Sequence, residues 1–122
     1  MSVALIVMYK GQPEDPDAFL RYYTEKHIPI VRTFPKIRGI YIERGVEDVE
    51  YFMFSRLVFD SLDDLHKALE SQQREKARQD MANFPIFNGE VKREIVEIMP
   101  IIRKNVIPKL RTSVISFLLL SP

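Results

Sequence analysis

The chain has 122 residues, 46% of them hydrophobic and 29% charged, and a formal charge of +1. That length holds one hydrophobic core, and the near-neutral charge gives no footing for nucleic acid or an anionic membrane surface. Cysteine is absent and histidine occurs only at positions 27 and 66, which excludes disulfides, thiolate nucleophiles and cysteine-ligated metals and leaves no basis for expecting a metal or other cofactor.

Val3 to Lys10 is a continuous apolar, β-branched run and predicts a strand covered on both faces. The basic start and cleavage site of a signal peptide are missing, and no apolar run approaches the roughly 20 residues of a membrane helix. A cytoplasmic protein is expected. Gly11 to Glu14 reads as a loop. Asp15-Pro16 then marks a helix start: the carboxylate accepts from free amides, and proline suits the first helical position.

This helix is expected to run to about Phe34, with Phe19, Tyr22, Tyr23, Ile30, Val31 and Phe34 forming its apolar side. His27 falls on the same side, four residues after Tyr23. Pro29 removes a backbone donor and crowds the carbonyl of Glu25, so a kink or break is expected near His27. Ile37 to Arg44 and Tyr51 to Phe59 read as two hairpin-linked strands. Ser61 with Asp64 caps a second helix carrying Leu62, Leu65 and Leu69. Gln72 to Asn83 continues as helix, Phe84 to Gly89 forms a loop, and Glu90 to Met99 is the last strand.

The order β-α-β-β-α-(α)-β is an α+β plan, ferredoxin-like: a four-stranded antiparallel sheet with helices on one face. Both alternating sets of the first strand are apolar, so the uncovered face would be a large apolar patch. A homodimer through that open face is the simplest remedy. Residues 1–100 form the expected domain. All 17 acidic residues lie between Glu14 and Glu97, and residues 101–122 carry only Arg103, Lys104, Lys109 and Arg111 as charges. That basic, then apolar, extension is either an arm that covers a sheet edge or partner subunit, or an accidental addition.

The run Met8-Tyr9-Lys10, then Pro16-x-x-Phe19, Tyr22-Tyr23-x-x-x-His27-x-Pro29 and Phe34-Pro35-x-Ile37 resembles the EthD family of dimeric α/β-barrel proteins over roughly residues 1–100. Lys36 departs from the pattern, since many relatives carry glycine before the second strand. The resemblance implies two subunits forming a dimeric barrel, each with a pocket between sheet and helices. It also implies small-molecule chemistry that ranges over ether-degradation systems, isomerases, cyclases and cofactor-free monooxygenases.

His27 is the best candidate for a catalytic residue, because imidazole exchanges a proton near neutrality. Tyr23, one turn earlier, is its candidate hydrogen-bond donor. Tyr22 points about 100° away and is not expected in the same pocket. Tyr41, Tyr51, Phe84 and Phe87 are candidate substrate-binding residues, the last two on a loop that serves as lid or core plug. Arg56 and Arg93 either pair with Glu43 or Glu97 or face solvent, with anion binding the rarer use. His66 reads as a boundary histidine, and nothing around either histidine marks a haem ligand. No glycine-rich phosphate loop is present. The expected partner is a small hydrophobic ligand, with His27 moving a proton on an oxygenated metabolite. For that chemistry an orienting carboxylate would have to come from Glu25 or a strand. Two alternatives stand beside it: a non-catalytic binder or accessory of an oxygenase system, and a simple dimeric scaffold with no pocket; His27 itself is otherwise a core histidine that fixes the kink.

Overall fold

The computed structural model describes residues 1–102; the extension discussed above lies, but for its first two residues, outside them. Four strands, β1 (Val3–Pro13), β2 (Gly39–Arg44), β3 (Tyr51–Phe59) and β4 (Phe87–Glu97), form one sheet in the order β2-β3-β1-β4. Every neighbouring pair is antiparallel. The helices are α1 (Pro16–Tyr22), α2 (Ile28–Val31), α3 (Leu62–Leu69) and α4 (Gln72–Asp80), with a 3-10 turn at Met81–Asn83. This is the α+β, ferredoxin-like arrangement expected from the order of elements.

The helix-covered face carries the core. Val3, Leu5, Val7 and Tyr9 of β1 sit opposite Phe59, Leu57, Ser55 and Met53 of β3, and all eight are buried. A bulge follows, because Tyr9 pairs with Met53 but Lys10 pairs with Tyr51. The extra residue, Phe52, is thereby turned into the core beside Met53. On the opposite face, Ala4 and Ile6 are buried, Phe54 and Val58 are half-buried, and Tyr41 is exposed. Charges rim that face: Arg56 binds Glu43 at 2.9 Å, and Lys92 and Glu94 of β4 lie beside Met8 and Ile6.

The helix starts follow from their caps. Asp15 accepts from the Ala18 amide, Ser61 from Asp64 and Ser71 from Arg74, each satisfying an amide the helix leaves free. Between α1 and α2 the backbone takes a π-helical turn, Tyr23–His27, in which the Ile28 amide reaches the Tyr23 carbonyl. Pro29 is the cause: it has no amide to donate and would crowd the Glu25 carbonyl in a regular helix. The expected disturbance near His27 is therefore a wide turn rather than a break.

Several strand boundaries differ from expectation. β1 runs on to Pro13 and β4 begins at Phe87, where loops were expected on both sides. Gly11 and Gly89 face each other across this extension, and Gly11 has φ +119°. A Cβ at either would run into the backbone of the other strand, so strand pairing passes through a point that only glycine permits. β2 begins two residues later than expected, because Pro35 to Lys36 is a turn and Lys36 has φ +63°. A lysine thus occupies a left-handed position at a cost of roughly 1–2 kcal/mol that glycine escapes, offset in part by the entropy glycine loses on folding. Lys36→Gly is expected to raise stability by about 0.5–1 kcal/mol, read as a higher urea midpoint with unchanged slope.

Candidate functional site

His27 stands on the last residue of the π-helical turn and is buried, 6% exposed. Its Nδ1 lies 2.9 Å from Oδ2 of Asp80, the last residue of α4. The other carboxylate oxygen accepts from the Tyr22 hydroxyl at 2.6 Å and from the Asn83 amide at 3.2 Å. One carboxylate thus joins α1, the π turn, α4 and the 3-10 turn. Phe84 packs edge-on against the imidazole, centroids 4.7 Å apart, and Tyr23 lies against it at 5.1 Å.

Burial works against charge on Asp80, but the bonds from Tyr22, His27 and Asn83 outweigh it and hold the carboxyl below its ordinary value of 3.8. An ionised carboxylate only accepts, so His27 Nδ1 carries the proton and Nε2 is the lone-pair nitrogen. Burial also pushes the imidazole below its ordinary 6.5; Asp80 pulls it back up in part, and the nearby Arg93 guanidinium lowers it again. The ring is neutral at pH 7, a base with a fixed tautomer. His27 Nε2 has no hydrogen-bond partner among the described residues; since no fully buried side-chain nitrogen or oxygen there lacks one, Nε2 keeps some exposure and is open to whatever occupies the space beside it.

That space is a hollow between sheet and helices. Its empty space is about 510 Å³ with the open mouth counted. Leu5, Val7, Val31, Phe34, Leu57 and Leu69 make the apolar wall. Tyr9, Tyr23 and His27 supply polar atoms inside, with half-buried Arg74 and Met81 and exposed Arg78 and Arg93 completing the lining. The Tyr23 hydroxyl meets Ser55 Oγ at 2.5 Å in the core. Burial pushes the phenols of Tyr9 and Tyr23 up, so both remain neutral hydrogen-bonding groups at any working pH.

The structure therefore brings His27 and Tyr23 together on one hollow and removes others from it. Tyr41 lies on the opposite sheet face, in a shallow groove with Arg56, Val58 and Met99, because odd and even strand positions point to opposite faces. Tyr51, displaced by the bulge, stacks on Phe54, also away from the hollow. Phe87 belongs to β4 and packs in the core on Tyr9 and Phe19; it is a plug, not a lid. Phe84 backs the imidazole without lining the hollow. Tyr22 stays outside it, as expected, yet joins the site through Asp80. His66 is exposed on α3. Arg56 has its expected partner in Glu43, whereas Arg93 is not paired with Glu97.

The residue that sequence reasoning missed is Asp80, in place of Glu25 or a strand carboxylate. One signal was available: a carboxylate at a helix's last position opposes the helix dipole and needs another reason to be there. Ser55 gave a similar sign, a lone hydroxyl on the apolar face of β3 that must find a partner when buried.

The EthD domain profile matches residues 11–85, and the chain belongs to the EthD family. A crystal structure of an ethyl tert-butyl ether d (EthD) family protein from Bacillus halodurans C-125 is similar with TM-score 0.70 and 26% identity, covering 81% of this chain and 100% of that one. An uncharacterized 11.0 kDa protein from the thcB-thcC intergenic region of Rhodococcus erythropolis is 26% identical over 83 residues, 65% of this chain and 81% of its own. The fold is also shared by SnoaB, a cofactor-independent oxygenase of Streptomyces nogalater, at TM-score 0.64 and 10% identity, over 84% of this chain and 98% of that one.

The site makes a prediction about pH. Because folded His27 has a lowered pKa, the unfolded chain takes up a proton that the folded chain refuses. Stability is full above pH 6.5 and falls as pH drops below that value toward the lower folded one. His27→Gln is expected to lose this component, seen as a flatter denaturation midpoint against pH in that window. Asp80→Asn removes the anion that raises the imidazole pKa, so the His27 ring titration followed by NMR moves to lower pH.

Proposed function

We propose that this chain is a small-molecule protein that moves a proton on a hydrophobic oxygenated compound, with His27 as base and Asp80 as its orienting partner. The observation that carries the reading is the Nδ1–Asp80 bond at 2.9 Å beside an apolar hollow. It leaves Nε2 as acceptor and stabilises the imidazolium formed when Nε2 takes a proton, the division of labour seen wherever a carboxylate backs a catalytic histidine. Proton abstraction next to a carbonyl leaves the electron pair on the carbonyl oxygen as an enolate, and return of the proton at another atom gives isomerisation. The phenols of Tyr9 and Tyr23 are neutral donors within the same hollow. The step requires no group beyond these side chains, which accords with the cofactor-independent oxygenase among the fold's relatives.

The test is exchange at carbon. With 2-indanone in deuterium oxide, the wild-type protein is expected to speed α-deuteration over buffer, and His27→Gln to remove about 10²–10⁴-fold of catalysis while keeping its circular dichroism. Full activity in that variant overturns the role of His27. Absence of any acceleration by the wild type, with saturable ligand binding intact, leaves a binding protein instead.

We further propose that two copies pair through the open sheet face. Ile6, Phe54 and Val58 give it an apolar centre, and the Arg56–Glu43 and Lys92/Glu94 charges form a rim, the ordinary anatomy of an interface. Sedimentation at micromolar concentration is expected to give a dimer, and Phe54→Glu a monomer.

A further inference from the structure

Three guanidinium groups gather at the mouth of the hollow, those of Arg74, Arg78 and Arg93. Arg78 is occupied, since it holds Glu75 through both Nε and Nη2, and Glu75 also takes a bond from Gln79. Arg93 projects from β4 on the core side, opposite Val7. Its one side-chain partner among the described residues is the thioether of Met81, at 3.4 Å, a weak acceptor for a group with five donors. Arg74 has the Leu69 carbonyl at 3.3 Å and no carboxylate within ion-pair distance among the described residues. Residues 103–122 contain no aspartate or glutamate, so no acidic side chain there neutralises these two. Asp80 is already taken by Tyr22, His27 and Asn83.

A guanidinium fork beside an apolar wall matches a planar carboxylate in both charge and shape. We infer that the hollow selects an apolar compound bearing a carboxylate, its hydrocarbon body on Leu5, Val31 and Leu57 and its acid group held by Arg93 and Arg74. Arg93 lies close enough to influence His27, Tyr9 and Tyr23 electrostatically, so the anchored acid group sits beside the base rather than far from it. The inference rests on the proposed reading only in taking this hollow as the ligand site. The anion requirement is independent of whether His27 does chemistry.

Benzoate and benzamide have nearly the same shape and differ in charge, and serve as the probes. Titrated into the wild-type protein and followed by the methyl resonances of Val7, Val31 and Leu57, benzoate is expected to bind about tenfold or more tightly than benzamide. Arg93→Gln is expected to erase that preference and leave benzamide unchanged. Arg74→Gln reduces it in part, and His27→Gln retains it. Equal binding of the two probes, no binding of benzoate, or an unaltered preference in Arg93→Gln overturns the inference. Failure of the 2-indanone exchange with the benzoate preference intact removes the proton-transfer reading alone.

Discussion

The carboxylate of Asp80 is the joint on which the site depends. Helix α4 reads Gln-Gln-Arg-Glu-Lys-Ala-Arg-Gln-Asp and buries only Ala77, too little apolar area to hold a helix against the molecule. What docks its end is polar: Tyr22 and His27 both bond Asp80, and Asn83 of the following turn adds a local bond. Hydrogen bonds to a charged group are worth about 1.5–3 kcal/mol each, and a partner left unsatisfied costs a similar amount. The same contacts that place α4 therefore fix the orientation of the imidazole. Position of a helix and tautomer of a base are two results of one interaction.

The placement of His27 begins further back, at Pro29. A regular helix would carry the histidine side chain on along the apolar stripe. The wide turn that Pro29 forces inserts an extra residue per turn over Tyr23–His27, and both ends of that turn come to face the hollow. Tyr23 is held from below by Ser55 and His27 from the side by Asp80, with Phe84 closing the third side. An imidazole boxed in this way has lost its rotamer freedom on folding, so nothing further is lost when a ligand arrives.

Much of this was legible from residues alone, for local reasons. The Asp15-Pro16 start, the Ser61 cap, the Pro29 disturbance and the alternating apolar strands are set by neighbours within four positions. What escaped was set by distance or by registry. Asp80 meets His27 across 53 positions of sequence, and no local pattern encodes that meeting. Tyr41 and Tyr51 were assigned to a hollow that the pleat and a one-residue bulge turn them away from, since a single extra residue reverses every later face of a strand. The extension of β1 and β4 past Gly11 and Gly89 escaped because glycine usually ends a strand. Here two glycines opposite each other let the backbones come close enough to continue.

The division between wall and mouth then determines what the hollow can do. Its wall is largely apolar, with Tyr9, Tyr23 and His27 as the polar groups among it. Its mouth is made of long side chains, three arginines and a methionine, which change rotamer far faster than any helix moves. An acceptor brought by a guest replaces a weak sulfur contact, that of Met81 with Arg93. A neutral guest leaves the exposed guanidinium to water, whereas an anionic one takes its donors and its charge. On the proposed reading, selectivity resides at the rim and the chemistry with the rigid imidazole behind it.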